Sequence, residues 1–116
     1  MREASIEGQA IIHATLLRFI TFKVSPAKSD GYPDRVFINE RGLHIYIEIK
    51  APGKRPRKLQ IYRINSLRER NVPAFWSDNI NEIRELLDFY ARMDPKDLSN
   101  RSYPPYDFAG KCGDTS

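Results

Sequence analysis

The sequence predicts an α/β fold in the order helix, three strands, helix, strand, helix, and two observations carry that prediction. Apolar residues recur at helical spacing in three segments, and the segments between them alternate apolar with polar residues, as half-buried strands do. Breakers fall at the junctions, in Ser25 to Pro33, Asn39 to Gly42 and Pro52-Gly53. With 116 residues the chain has room for one core and one site.

Ser5 is placed to cap a first helix running to about Leu17, along which Ile6, Ala10, Ala14 and Leu17 form an apolar stripe. Glu7 falls in its first turn. From Phe19 to Val24, the residues Ile20, Phe22 and Val24 alternate with Thr21 and Lys23, a strand pattern. Arg35 to Ile38 is a short strand, Asn39 to Gly42 supplies turn residues, and Leu43 to Lys50 returns as a longer strand, so the pair forms a hairpin. On the returning strand Ile45, Ile47 and Ile49 share one face, while His44, Tyr46, Glu48 and Lys50 share the other. Pro52-Gly53 stops it. A second helix spans Arg57 to Arg70, with Gln60, Ile64 and Leu67 along one side. Val72 to Trp76 is a last short strand, and Asn79 or Asp78 caps a helix carrying Ile80, Ile83, Leu87 and Tyr90. These elements make a domain over residues 1–93. Residues 94–116, with their prolines and glycines, are expected to form an extended or loosely docked tail, in which Tyr103, Tyr106 and Phe108 are apolar enough to pack on the domain or on a partner.

Composition narrows the function. Hydrophobic residues at 41% and charged residues at 29% are ordinary for a folded domain and argue against general disorder. No apolar run reaches membrane-spanning length, and the first residues lack the pattern of a secretory signal, so a cytoplasmic protein is expected. The single Cys112 cannot form an intrachain disulfide or a thiolate metal cluster, which agrees with a reducing compartment. A net charge of +4 is too mild to prove a nucleic-acid partner. Its distribution says more: Lys50, Lys54, Arg55, Arg57, Lys58 and Arg63 follow one another with no acidic residue among them, either a polyanion-binding surface or a solvated face.

Asp34 lies where a loop enters the hairpin, and Glu48 and Lys50 project from one face of the neighbouring strand, so three functional groups converge at one sheet edge. Two carboxylates with a carbonyl and waters suit Mg²⁺ or Mn²⁺, whereas zinc would want a histidine and cysteine set that is missing here. An ammonium beside such an ion can hold and help deprotonate an attacking water and offset the charge of a phosphodiester transition state. Pro-Asp followed by Glu-x-Lys arises by chance in roughly one chain of this length per hundred. Here it comes with neighbours: Gly31-Tyr32-Pro33-Asp34-Arg35, then Ile47-Glu48-Ile49-Lys50-Ala51-Pro52-Gly53, then Gln60 in the next helix.

With those neighbours the chain resembles the VRR-NUC family (virus-type replication-repair nucleases) of the PD-(D/E)XK nuclease superfamily, over about Arg2 to Tyr90. The resemblance implies a PD-(D/E)XK nuclease-like core, a mixed central sheet flanked by helices. It implies a Mg²⁺- or Mn²⁺-dependent endonuclease acting on branched DNA such as Holliday junctions, as a homodimer and without an organic cofactor. Position by position, it makes Asp34 and Glu48 metal ligands together with the Ile49 carbonyl, and Lys50 the residue that orients water. Glu7, or Glu3 in its stead, would serve a second metal or its water shell, and Gln60 would orient Lys50 or a bound water. Arg35, directly after Asp34, suits a phosphate near the scissile bond, with Lys54, Arg55, Arg57 and Lys58 tracking the backbone and Arg63 continuing the basic run. The competing readings are a nickase or flap nuclease within a larger complex, a non-catalytic DNA-binding module, and an RNA substrate. His13 and His44 lack partner histidines at metal spacing and read as surface or packing residues; Trp76 reads as core, and Tyr46 as a residue able to line a substrate groove.

Overall fold

The computed structural model of the chain describes residues 2–24 and 30–98. In chain order it forms α1 (Glu3–Leu16), β1 (Ile20–Lys23), β2 (Arg35–Ile38), β3 (His44–Ile49), α2 (Lys58–Glu69), β4 (Ala74–Ser77) and α3 (Ile80–Tyr90), followed by a 3₁₀ turn over Pro95–Asp97. The strands lie in the order β1-β2-β3-β4, antiparallel except for the last pair, β3 with β4. A hairpin reverses direction with a tight turn, whereas the parallel neighbour needs the crossover that α2 provides.

Strand parity sorts the side chains into two layers. Ile45, Ile47 and Ile49 meet Ile6, Ala10 and Ala14 of α1 and Ile83, Leu87 and Tyr90 of α3 in the main core. On the opposite face Ile64 of α2 packs with Ala74 and Trp76, flanked by Tyr46 and Leu67. Trp76 is thus a core residue, as its sequence context suggested. The α/β architecture, the mixed sheet and the flanking helices all agree with the sequence reading.

Two boundaries differ from it, and so does the burial of one strand, each for a local reason. Helix α1 starts before Ser5: Arg2 is its extended N-cap without a side-chain cap bond, and Ser5 lies inside the first turn. Asn71 takes a left-handed φ of 62° after α2, and Asn71 and Val72 donate to the Arg68 and Leu67 carbonyls, a Schellman closure. That spends the Val72 N–H on the helix end, and β4 begins only at Ala74. Strand β1 is an edge strand whose Ile20 and Phe22 share the α2 side of the sheet through their pairing with Ile38 and Val36. Helix α2 covers the β4 side of the sheet, so Ile20 and Phe22 stay exposed, at 65% and 49%.

Helix α3 is capped by Asn79, whose side chain accepts from the Asn81 and Glu82 N–H groups. Asn39 in the hairpin turn donates to the Tyr90 and Met93 carbonyls, both at 2.8 Å, which ties the end of α3 to the sheet. Met93 and Leu98 pack against the main core, so the first residues of the expected tail are docked. Tyr103, Tyr106, Phe108 and Cys112 lie outside the described residues. No helix among the described residues is long and apolar enough to cross a membrane.

Candidate functional site

The site forms at the mouth between β2 and β3, on the face that α2 covers. Gly31 begins it. At φ 87°, it presses so closely on α2 that an added Cβ would stand 2.7 Å from Leu59 Cγ and 3.2 Å from the Leu59 backbone carbon. A side chain at this position would be strained by both the conformation and the helix. The chain then passes through the buried Pro33 and delivers Asp34 at the start of β2.

Glu48 is the hub. Only 7% of it is exposed, yet each carboxylate oxygen is held. Oε1 accepts from the Asp34 backbone N–H at 3.2 Å. Oε2 accepts from Gln60 Nε2 at 3.2 Å and pairs with Lys50 Nζ at 3.5 Å. Gln60 Oε1 accepts from the Arg57 N–H at 2.8 Å at the start of α2, and this fixes which end of the amide faces Glu48. Gln60 therefore touches Glu48 rather than Lys50.

Burial pushes the Glu48 carboxyl above the ordinary glutamate range, the nearby Asp34 charge pushes it the same way, and Lys50 pulls it down. A carboxyl that binds its proton more tightly in the folded state adds stability below the unfolded pKa, and this is lost as pH rises through the raised value. Ionising Glu48 is therefore a cost that a cation beside it would offset.

The Ile49 carbonyl is a third oxygen that could serve a metal beside these carboxylates. The N–H groups of Tyr46 and Lys50 donate toward β4, so by alternation the backbone of Ile49 faces β2. Extending the register of Arg35 with Ile47 by two residues sets Pro33 opposite Ile49, and proline brings no N–H to engage that carbonyl. Two carboxylates and a carbonyl are hard oxygen donors suited to Mg²⁺ or Mn²⁺, with water filling the remaining positions. Among the described residues no group of three or more acidic, histidine or cysteine side chains gathers as a metal site. The fit therefore rests on two carboxylates and not on a third acid.

Two expected site residues lie elsewhere. Arg35 donates from Nε to Glu7 Oε2 at 3.0 Å and from Nη1 to Thr21 Oγ1 at 3.1 Å, and it is 7% exposed. Neighbours on a strand point to opposite faces, so adjacency to Asp34 sends Arg35 toward α1 and away from a phosphate at Glu48. In this structure Glu7 is the partner of Arg35. Lys54, Arg55 and Lys58 are exposed just beyond β3, and Arg55 lies 5.6 Å from the Trp76 ring centroid. Arg57 is paired with Asp30 at 2.8 Å on the surface. Arg63 lies within cation–π range of both Tyr32 and Tyr62. His13 hydrogen bonds Asp88 at 2.8 Å between α1 and α3, and His44 is exposed. Sequence reasoning missed the Glu7–Arg35 pair and the two tyrosines. Only Tyr62 left a signal, being an aromatic residue off the Gln60-Ile64-Leu67 stripe.

An acidic residue entering one strand, Glu-x-Lys on the next, and a parallel fourth strand reached through a helix make the α/β core that the resemblance to the PD-(D/E)XK nucleases implies. No protein-family profile matches the chain. A solved structure described as a VRR_NUC domain superposes with a TM-score of 0.69, covering 78% of this chain and 99% of that one at 21% identity. "Putative nuclease p44" of Acyrthosiphon pisum secondary endosymbiont phage 1 is 37% identical over 62 residues, which is 53% of this chain and 66% of that relative, just under two thirds of it. The chain has the VRR-NUC fold, and the family resemblance read from its motif is borne out by that fold and by the phage relative.

Proposed function

We propose that the chain is a metal-dependent, structure-selective DNA endonuclease that hydrolyses phosphodiester bonds in branched DNA such as Holliday junctions. The observation that carries this reading is the convergence of the Asp34 backbone, Gln60 and Lys50 on the buried Glu48 carboxylate. Kinship to a phage protein named as a nuclease supports it. The setting would be the cytoplasm of a bacterial or phage-infected cell.

Asp34, Glu48 and the Ile49 carbonyl would hold Mg²⁺ or Mn²⁺, which when bound supplies Lewis acidity at the scissile phosphate. Lys50 holds the attacking water by hydrogen bonding and offsets the negative charge that builds on the phosphorane-like transition state. Gln60 keeps the Glu48 carboxylate in place throughout. Exposed Lys54, Arg55 and Lys58 hold the DNA backbone, a contact that reads charge and shape rather than bases. Two copies acting together are part of the proposal, with the exposed Ile20 and Phe22 on edge strand β1 as the surface that supports pairing.

The test is cleavage of a labelled four-way junction, with flap and linear duplex controls, in Mg²⁺, Mn²⁺ or EDTA. Paired symmetric nicks in the junction alone with metal support the whole reading, and flap cutting alone replaces the junction by the flap. Junction binding without cleavage under any condition leaves a DNA-binding module. Two further results are expected. With three or four cations on phosphates, log K falls with log salt at a slope of about −3, and a flat dependence removes the basic segment from the interface. At a hundredfold excess over its Kd, Mn²⁺ should stabilise the wild type by about 2.7 kcal/mol in thermal melts. That gain should shrink as pH falls, because protons compete for Glu48, and should vanish in Glu48→Ala. An equal shift in Glu48→Ala would place the ion elsewhere.

A further inference from the structure

One exposed cluster is left over by the chemistry above. The Arg63 guanidinium carbon lies 4.7 Å from the Tyr32 ring centroid and 5.7 Å from that of Tyr62. Its Nε donates to the Asp30 carbonyl at 3.3 Å, which orients the planar group. Neither ring is core: Tyr32 is 38% and Tyr62 58% exposed. They open onto a cleft of about 350 Å³ that Ser66, Glu69 and Arg70 also line.

The cluster is close to the site in both sequence and space. Tyr32 precedes Asp34 by two residues, and Arg63 is about 4.5 Å along the α2 axis from Gln60. The loop carrying Tyr32 is held on α2 by the contact of Gly31 with Leu59 and Arg63.

We propose that this cleft receives one base that is unstacked at the branch point of a DNA substrate, stacked on the Tyr32–Arg63–Tyr62 wall, and so favours substrates whose pairing opens beside the cleavage point. The substrate class rests on the nuclease reading. Aromatic rings and a fixed guanidinium offer flat faces to any base, which gives tolerance of sequence with a preference for unstacked nucleotides. Glu69 favours a base over a phosphate, because its carboxylate repels the backbone but accepts from a base N–H. Arg70 at the rim supplies charge for the flanking phosphate.

The experiment uses Lys50→Ala protein in EDTA, so that no cleavage enters the readout. DNA carrying a single unpaired 2-aminopurine next to a duplex is titrated, with the fully paired duplex as reference. Stacking predicts quenched fluorescence. Adding Tyr62→Ala should restore the fluorescence and weaken the unpaired substrate about 5- to 100-fold, with the duplex unchanged, while Tyr62→Phe should behave as the parent. Equal weakening of both substrates, or no change in either, overturns the proposal. Tyr62→Phe folds as the parent if the ring alone is needed, so loss of quenching in that folded variant also overturns it. Quenching in a protein that cuts no DNA would keep the stacking site and discard the nuclease. Cleavage by the wild type with no quenching in the Lys50→Ala protein would do the reverse.

Discussion

Lys50→Ala is expected to slow phosphodiester cleavage by about 10²- to 10⁴-fold, the range for removing a positioned acid–base group, while junction binding persists. The separation follows from the hub geometry. Glu48 keeps its bonds to the Asp34 N–H and Gln60 when Lys50 is truncated, so the carboxylate stays placed. What disappears is the ammonium 3.5 Å from Oε2, the group suited to the attacking water. Losing it also removes the charge that pulls the Glu48 carboxyl down, so that carboxyl should titrate still higher in the variant. Single-turnover cleavage across pH reads both effects, as a lower plateau and an acidic limb displaced to higher pH. A rate equal to wild type would show that Lys50 takes no part in the chemistry.

Gly31→Ala is expected to cost roughly 2–5 kcal/mol of folding stability and most of the proposed activity. A left-handed conformation costs an L side chain about 1–2 kcal/mol, and overpacking against a helix adds about 1–3 kcal/mol. Relief is hard to find: the Leu59 side chain can rotate, but the Leu59 backbone carbon at 3.2 Å belongs to the first turn of α2. That turn is fastened by Gln60, so the loop must yield, and Asp34 moves with it. Urea denaturation and cleavage kinetics on one preparation measure the two losses. In a Leu59→Ala background the stability cost should fall, because the side-chain part of the overlap is gone, and the remainder reports the backbone. A Gly31→Ala protein as stable and active as wild type would show that the loop does not lie on α2 as described.

Parity within a strand made much of this site legible. Glu48 and Lys50 had to share a face once the hairpin was recognised, and Gln60 fell on the buried side of α2 by its spacing from Ile64. The same rule also bore on Arg35: period two turns it away from Asp34, a consequence that proximity in sequence obscures. Its pairing with Glu7 needs the packing of α1 on β2, which no local pattern reveals. The exposure of Ile20 and Phe22 depends on strand order, because the same alternation buries its apolar set in the middle of a sheet and leaves it bare at an edge beyond the covering helix. The start of β4 depended on one backbone donor, Val72, which the end of α2 claims.

Gln60 has one amide and two employers. Its oxygen secures the opening turn of α2 and its nitrogen steadies Glu48, so the helix and the site share a single fastening. Fraying of that turn, one of the least costly motions a helix makes, takes away one of the three partners of the carboxylate at the same moment. The proposed cleavage is thereby coupled to a local opening as well as to global unfolding, and on warming it should decline while most of the sheet is still intact.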